Sequence, residues 1–241
     1  MGVATSMVQT RQLPAISLQK SLRIETLFET VSATCHMTND LLSVKQVECS
    51  GVPSFVHCHR SFKMEYVGDI EYDICFGGAY FLFVDLHRHN TTLSIEENKD
   101  ALLRIAIALR ESLVKQNAQL MNHPLSVQKL QLDSIVFCRE LKKEHSHSIF
   151  KELVFDFSTL SEMPPGESLT ARLALESSRQ SIPVGGSVRI EGTSLSATVS
   201  EILPVWFNIS NVVVPKIFGY ADLTGKVSLH ISSKKNLQGF K

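Results

Sequence analysis

The side chains with the clearest potential for chemistry surround a hydrophobic run that two glycines interrupt. The run from Asp73 to Asp85 reads D-I-C-F-G-G-A-Y-F-L-F-V-D. Adjacent glycines inside a strand mark a bulge or a close approach of the backbone to another segment, so Gly77 and Gly78 are candidate backbone neighbours of a ligand. Asp73 and Asp85 are interpreted as hydrogen-bonding groups at the strand ends, and Cys75 as a buried core thiol.

Three consecutive residues, His57, Cys58 and His59, offer a second candidate. On a regular strand the two histidines point to the same face, as metal ligands can. No paired Cys or His segment elsewhere in the sequence completes a zinc pattern, so neither a metal nor another cofactor is expected. The five cysteines are odd in number and irregularly spaced, which favours reduced thiols in a cytoplasmic protein over a disulfide framework.

Composition argues against several classes of partner. Lys plus Arg and Asp plus Glu both total 24, so the formal net charge is zero and no nucleic-acid partner is expected. The longest apolar run, near Ile105–Leu109, is far too short to span a bilayer, and we expect no secretory signal. The opening Met1–Ser6 fits the N-myristoylation pattern, but this short pattern often occurs by chance. No membrane partner is therefore predicted.

The elements that must position these residues are few helices and many short strands, which predicts an α+β protein. The run 94–119 is the clearest helix, because Ser94 and Glu97 form a capping box and apolar residues follow at spacings of three to four. A second helix is predicted over 168–178, beyond a turn at Pro164–Gly166, and a short one over 3–12. The predicted strands are 22–26, 42–47, 52–56, 62–67, 70–84, 131–139, 153–157, 187–191, 195–202, 205–209, 219–223 and 226–231.

Several segments together resemble the proline racemase family, which contains proline racemases, hydroxyproline epimerases and trans-3-hydroxy-L-proline dehydratases. The glycine-interrupted run resembles the family signature D-I-A-F-G-G-A-F-Y-A-x-V-D. The other similar segments are Arg23–Thr26 to I-E-T-P, Gly51–Val56 to N-V-P-S-F-V, Asn122–Pro124 to N-H-P, Gly219–Gly225 to G-x-A-x-x-T-G and Asn236–Phe240 to P-L-x-x-G-F. The likeness therefore runs from one end of the chain to the other.

The resemblance implies a fold like that of diaminopimelate epimerase, with two similar domains, each a curled, mostly antiparallel sheet around a central helix. The substrate then lies between the domains. In the family, the motifs M-C-G-H-G-T and D-R-S-P-C-G-T-G-T-S-A begin the two central helices, and their cysteines exchange the α-proton from opposite faces. A cysteine at a helix N-terminus has a lowered pKa, and the free N–H groups there can bind the substrate carboxylate. The dehydratases carry threonine at the second position and eliminate water.

The sequence departs from the family at both catalytic positions. Gly2–Val8 resembles the helix that follows M-C-G-H-G-T, so the first cysteine is missing and the first domain is expected to be incomplete. Aligning Thr170–Leu175 on the second motif puts Pro165 at the catalytic position and Ser161 at the substrate-facing aspartate. Proline carries no titratable group and no N–H. Glu167 adds a negative charge where a carboxylate would bind.

These departures shape the predicted domains and sites. Residues 1–72, to which 214–241 return, form the remnant of the first domain, and residues 73–213 form the second. No residue is assigned a catalytic role. Gly166, together with the two glycines of the signature, is a candidate for binding a ligand.

Three functions remain open. The first is a pseudoenzyme that binds a proline-like amino acid weakly or pairs with an intact relative. The second is a functional trans-3-hydroxy-L-proline dehydratase, or a proline or hydroxyproline racemase-epimerase, represented by an incomplete gene model. The third is an interaction protein in which a second copy or another protein covers the exposed edge of the first domain. The first is favoured because Pro165 cannot transfer a proton.

Overall fold

The computed structural model describes residues 2–12, 16–25, 30–64, 68–88, 93–116, 120–124, 129–162 and 165–219. The helices in these ranges are α1 Gly2–Gln9, α2 Lys99–Lys115 and α3 Gly166–Ser178. The strands are β1 Gln19–Glu25, β2 Thr30–Met37, β3 Val44–Ser50, β4 Phe55–Met64, β5 Gly68–Phe76, β6 Tyr80–Asp85, β7 Leu120–Met121, β8 Leu130–Glu144, β9 His147–Phe155, β10 Leu160–Ser161, β11 Ser187–Ile190, β12 Ser196–Trp206 and β13 Ile209–Gly219. Within the described ranges, no helix has the length and apolar composition needed to cross a membrane.

One large mixed sheet organises the chain. Its strand order is β1-β2-β3-β13-β12-β11-β9-β8-β6-β5-β4, with β10 added beside β9 and β7 beside β8. The β6–β8 and β9–β11 pairs are parallel, whereas neighbours such as β4–β5 and β12–β13 are antiparallel. The prediction of an α+β protein with a mostly antiparallel sheet is therefore confirmed.

Helix α3 lies at the centre of this sheet. Every residue from Ser168 to Glu176 is buried, so the helix is enclosed on all sides. Leu169 and Leu173 share one apolar cluster with β11, β12 and β13, while Ala171 and Leu175 share another with β5, β6, β8 and β9. A helix that is covered all round is stabilised by tertiary packing, not by one apolar stripe. The central helix implied by the family resemblance is present.

Strand β6 lies between two helical layers, which explains its uninterrupted apolar sequence. Phe81 and Phe83 pack in the cluster that contains residues of α3. Leu82 and Val84 pack in the cluster that contains the buried face of α2. Because alternate side chains on a strand point to opposite faces, burial on both faces demands apolar residues at successive positions.

A smaller cluster joins α1 to β1, β2 and β3. Ala4 and Val8 of α1 are buried against residues of these strands, including Cys35 and Val47. Residues 216–219 of β13 pair with β3, and so connect this part of the molecule to the rest of the sheet. The predicted domain boundary between residues 72 and 73 falls within β5, and the division into two domains stays a prediction.

Several predicted elements have different bounds in the structure. Helix α2 begins after Asn98 instead of at Ser94, because the Ser94 hydroxyl accepts the N–H groups of Glu96 and Glu97 in a turn that precedes the helix. The predicted strand 205–209 is wrong: Phe207 and Asn208 have φ of 45° and 65° and form the two-residue turn between β12 and β13. Strand β2 and most of β13 were not predicted, and residues 220–223 and 226–231 lie outside the described residues.

Candidate active-site cleft

An open cleft of about 820 Å³ lies where the N-terminus of α3 meets the β5–β6 turn and strands β2, β3 and β13. Its described lining residues are Val31, Cys49, Ser50, Gly51, Val52, Phe76, Gly77, Gly78, Gly166, Glu167, Thr170, Leu195 and Ile217. The structure thus brings together all three glycines that sequence reasoning selected, although they are far apart in the chain. That they contact a ligand stays a prediction.

The glycine pair forms the floor of this cleft. It was expected to be a bulge or a close approach, and the structure shows a tight turn between β5 and β6 together with a close approach. A Cβ on Gly77 would clash with the backbone of Glu167 and Ala171, and the Thr170 hydroxyl donates a 2.8 Å hydrogen bond to the Gly77 carbonyl. Gly78 has φ of +113°, which side chains rarely adopt. The pair therefore lets the first turn of α3 sit directly on the sheet.

Helix α3 begins at the cleft with a proline as its N-cap. Pro165 has an extended backbone and no side-chain hydrogen bond to the helix. The Ser168 N–H and hydroxyl both donate to the Pro165 carbonyl, at 3.1 and 2.8 Å. A Cβ on Gly166 would meet no atom within 4 Å. The ring of Pro165 can neither donate nor accept a proton. Unlike a thiol or hydroxyl cap, it therefore supplies no side-chain group for proton transfer or for a hydrogen bond to the first turn of the helix.

Two neighbouring polar residues differ in their relation to the cleft. Glu167 is exposed, lies in the first turn of α3 and lines the cleft, where the helix dipole favours its negative charge. Ser161 is an exposed residue of β10 that pairs with Val154, and it is not among the described lining residues of the cleft. Its correspondence to the family's aspartate stays a prediction.

The two cysteines nearest the glycine turn are both buried. Cys49 lines the cleft, and burial raises the pKa of its thiol. Cys75 is fully buried against residues of α3, and burial raises the pKa of its thiol well above the ordinary value. The interpretation of Cys75 as a core thiol is confirmed. Both groups are therefore held in the neutral form at neutral pH.

Beyond the cleft, the two aspartates of the signature meet at the C-terminal end of α3. Asp73 accepts a 2.6 Å ion pair from Arg179 and lies 3.0 Å from the His59 ring nitrogen Nδ1. Asp85 lies 3.5 Å from the same guanidinium, and it also accepts the His87 N–H at 3.1 Å as a strand-end residue. The strand-end interpretation is thus confirmed for Asp85, but the shared Arg179 was missed, because it is remote in sequence.

Sequence reasoning also missed a fully buried guanidinium. Arg172 lies 3.3 Å from a carboxylate oxygen of Glu152 and 3.3 Å from one of Glu176. Its guanidinium carbon lies over the rings of Phe83 and Phe150, 4.3 and 4.8 Å from their centroids. Burial raises the pKa of Glu152 to about 7. A charged residue inside the apolar run of α3 was the available signal.

The paired histidines of β4 do not share a face as predicted. The strand register shifts between Val56 and Cys58, which adds a bulge at His57. The His57 ring packs edge-on against Tyr80, whereas His59 bonds Asp73 on the side of the sheet that faces α3. In the part of the chain that the structure describes, no three His, Cys, Asp or Glu side chains are grouped as metal ligands.

A mostly antiparallel sheet wrapped around a buried helix, with a cleft at the start of that helix, defines an epimerase-like α+β fold. Two solved structures share it at 20% identity and a TM-score of 0.71. One is a probable proline racemase from Agrobacterium radiobacter with bound carbonate, matched over 90% of this chain and 62% of that chain. The other is a hydroxyproline epimerase from Agrobacterium vitis with bound trans-4-hydroxy-L-proline, matched over 90% of this chain and 61% of that chain.

The sequence profile described as proline racemase matches residues 1–240, and the chain belongs to the proline racemase family. A trans-3-hydroxy-L-proline dehydratase from Colwellia psychrerythraea is 25% identical over 81% of this chain. A 4-hydroxyproline 2-epimerase from Cereibacter sphaeroides is 27% identical over 75% of it. The matches cover only 54% and 53% of those two relatives, so this chain spans about half of their length.

Proposed function

We propose that this chain binds a small, proline-like molecule in its cleft but does not catalyse the proton transfer of its family. The observation that carries the proposal is Pro165 at the N-cap of α3, which the sequence resemblance aligns with the cysteine or threonine of the family motif. Racemisation requires a base on one face of the α-carbon and an acid on the other. Proline supplies neither.

The other side chains around the cleft do not replace the missing pair. Among the described lining residues, Cys49 and Glu167 are the two that can titrate. Burial raises the pKa of Cys49, so its thiol is protonated at neutral pH and is a poor base. Glu167 is an exposed carboxylate in the first turn of the helix. The part of the lining that the structure describes therefore offers no matched base and acid directed at one carbon.

The relatives support a proline-like ligand. The epimerase structure from Agrobacterium vitis contains trans-4-hydroxy-L-proline, and the relatives from Colwellia psychrerythraea and Cereibacter sphaeroides act on hydroxyprolines by name. The cleft of this chain has a small, mostly apolar lining with glycine backbone at its floor. Such a lining suits a five-membered ring.

The proposal is tested by α-proton exchange. Purified chain is incubated in deuterated water with L-proline, trans-4-hydroxy-L-proline or trans-3-hydroxy-L-proline, and the α-proton signal is followed by NMR. We expect binding, seen as ligand line broadening, without exchange, inversion or loss of water. Exchange at a rate above that of a heat-denatured sample would overturn the loss of catalysis, and unbroadened lines for all three would overturn binding.

A second candidate is an active dehydratase or racemase-epimerase of which this chain is one part. It is favoured by the coverage, since the chain matches only about half of the length of its curated relatives. The test is whether the reading frame upstream encodes M-C-G-H-G-T. With that cysteine present but Pro165 unchanged, we expect a reaction that needs one base, such as elimination of water, and no racemisation.

We also propose that a second copy or another protein covers β1. Among the described strands, β1 lies at one end of the sheet, and the residues that lead into it, Ile16 and Leu18, are 86% and 53% exposed. An exposed terminal strand is a template for pairing. Light scattering of the purified chain should give a dimer. A monomer that gains no partner when mixed with an intact relative would contradict this proposal.

A further inference from the structure

We propose that helix α2 is an interface between two copies of this chain, in which the two α2 helices pack antiparallel about a two-fold axis. This surface is separate from the cleft, because α2 packs on one face of β6 and α3 on the other. Three features of α2 support the pairing: a second apolar stripe, the position of Arg110 within that stripe and the order of the charges beside it.

The apolar stripe lies outside the face by which α2 contacts the core. Five apolar residues of the helix are buried in the core. Leu103, Ile107 and Val114 are not among them, and Ile107 and Val114 are 42% and 47% exposed. Together with Arg110 they follow one another at spacings of four, three and four residues, which places them on one line along the helix. A helix with this spacing can pack against a second helix as in a two-stranded coiled coil.

Arg110 fits within this stripe because its charged head is held by the bend between β9 and β10. Its guanidinium carbon lies 4.9 Å from the centroid of the Phe157 ring, and its Nη1 donates a 3.4 Å hydrogen bond to the Phe157 carbonyl. The aliphatic stem of an arginine held in this way covers apolar surface while the head stays in contact with water. The stripe from Leu103 to Val114 is therefore continuous.

The charges beside the stripe are ordered for an antiparallel partner. Four exposed charged residues follow one flank of the stripe: Asp100, Arg104, Glu111 and Lys115. When a two-fold axis passes through the midpoint of the helix segment 100–115, Asp100 faces Lys115 of the second copy. The same axis places Arg104 opposite Glu111 of the second copy. Every charge on the flank thus meets an opposite charge, and flanking charges of this kind set the orientation of paired helices.

The same axis also aligns the apolar residues. Ile107 lies beside the axis and meets Ile107 of the second copy. Leu103 falls between Arg110 and Val114 of the second copy, as a knob that fills a hole between side chains of the facing helix. One symmetry operation therefore satisfies both the stripe and its charges.

Contacts within a single helix are the alternative explanation of the charge order. Asp100 and Arg104, and likewise Glu111 and Lys115, are four residues apart and could pair along the helix surface. In the part of the chain that the structure describes, however, none of these four side chains makes an ion pair. Their charges are therefore available to a partner.

The size of the surface sets the expected affinity. Helix α2 has 17 residues and is about 25 Å long. A pair of such helices buries less than the roughly 1,600 Å² of a standard interface, so the dissociation constant should lie in the micromolar range. Sedimentation equilibrium of the purified chain, over concentrations that span this range, measures it.

Charge reversal tests the pairing itself, because removing one exposed charge has little effect. Arg104→Glu and Glu111→Arg each place like charges opposite each other at two symmetry-related contacts, so each should raise the dissociation constant about tenfold. The double variant restores both contacts and should return the constant to within about threefold of the unmodified value. If these charges acted only within one helix, the double variant would be worse than either single variant, because it breaks both i,i+4 pairs.

A change at the axis provides a second test. Ile107→Glu places two carboxylates next to each other in the dimer and should raise the dissociation constant at least about thirtyfold. Since Ile107 is exposed in the monomer, thermal melts of dilute protein should show that the variant stays folded. Val184→Glu is the matched control: it adds the same charge at an apolar residue that is 57% exposed in a turn outside α2, and it should leave the constant unchanged.

Three results would overturn the pairing of α2. The first is a monomer at every concentration up to the millimolar range. The second is a double charge variant that associates as weakly as the single variants. The third is a dimer that Leu18→Glu dissociates and Ile107→Glu leaves intact, because such a dimer forms through β1. Ligand binding in the cleft is tested separately and does not depend on these results.

Discussion

From its middle to its C-terminal end, helix α3 is held to the sheet by ion pairs, whereas its N-terminal end lines an open cleft. Arg172, in the middle of the helix, pairs with Glu152 of β9, and Arg179, at the C-cap, pairs with Asp73 and Asp85. At the other end, Pro165 provides no side-chain cap and Gly166 faces open space. One helix therefore combines a buried part that is fixed by ion pairs with an N-terminal end that lies at an open cleft. Substitutions at the first should change stability, and substitutions at the second should change binding.

The largest effect is expected from Arg172→Met. The change leaves Glu152 buried without the guanidinium that lies 3.3 Å away, and an uncompensated buried charge costs about 3–5 kcal/mol. The free energy of unfolding, measured in a denaturant titration, should fall by that amount. Arg104→Met, at an exposed position of α2, is the matched control and should change it by less than about 0.5 kcal/mol. Equal effects of the two variants would mean that the buried pairs do not hold α3.

A pH-dependent effect is expected from Glu152. Its neighbours are Arg172 and Glu176 on α3 and Cys138 on β8. Burial raises its pKa from an ordinary 4.5 to about 7, so between these values the folded state binds more protons than the unfolded state. Its contribution to stability is therefore present at low pH and lost as the pH rises through that window, by up to about 3 kcal/mol.

Comparison with Glu152→Gln isolates this contribution. Because Gln does not titrate, the difference in unfolding free energy between the unmodified chain and the variant should shift between pH 4.5 and 7 in the direction given above. Other carboxyls, such as Glu96, whose pKa falls to about 2 beside Lys151, act equally in both proteins and cancel. A difference that stays constant with pH would show that Glu152 is ionised throughout.

A pair of glycine variants compares the two sides of the cleft. Gly77→Ala forces a Cβ into the backbone of α3, which has little freedom to move, and overpacking of this kind costs about 1–3 kcal/mol. Gly166→Ala adds the same methyl group where nothing lies within 4 Å, so it should cost less than about 0.5 kcal/mol. Thermal melts of both variants provide the measurement. If they destabilise equally, the sheet and the helix start are not in the close contact described.

The sequence predicted this molecule best where local patterns coincide with burial. The helix over 168–178 and the strands on either side of the glycine pair followed from apolar patterning, and the family was identified from its signature. Strand β2 was missed because its sequence, T-V-S-A-T-C-H-M, shows only a weak alternation of apolar and polar residues. Its pairing with β1 and β3, and not its local sequence, makes it a strand. The turn at Phe207–Asn208 was missed because its φ angles are positive without glycine.

At the candidate site, the sequence selected individual residues but not their contacts. Gly77, Gly78 and Gly166 were selected by motif, and the structure brings them to one cleft. Cys49 was missed because only the tertiary arrangement of β3 and α3 around the cleft places it there. The contacts of Arg179 with both aspartates of the signature also depend on tertiary packing, which no local spacing encodes.

The smallest stability change is expected from Glu167→Gln, and that small size is what makes it informative. Glu167 is exposed and gains about 0.3–1 kcal/mol from the helix dipole in the first turn of α3. A surface contact of an exposed carboxylate adds at most about 1 kcal/mol, so a denaturant titration of the variant should show a loss of no more than about 2 kcal/mol. A loss of about 3 kcal/mol, comparable to that of Arg172→Met, would place Glu167 among the residues that hold the fold, and the contrast between the two ends of α3 would disappear. A small loss would instead show that the start of α3 contributes little to stability, in contrast to the buried part of the helix that carries Arg172.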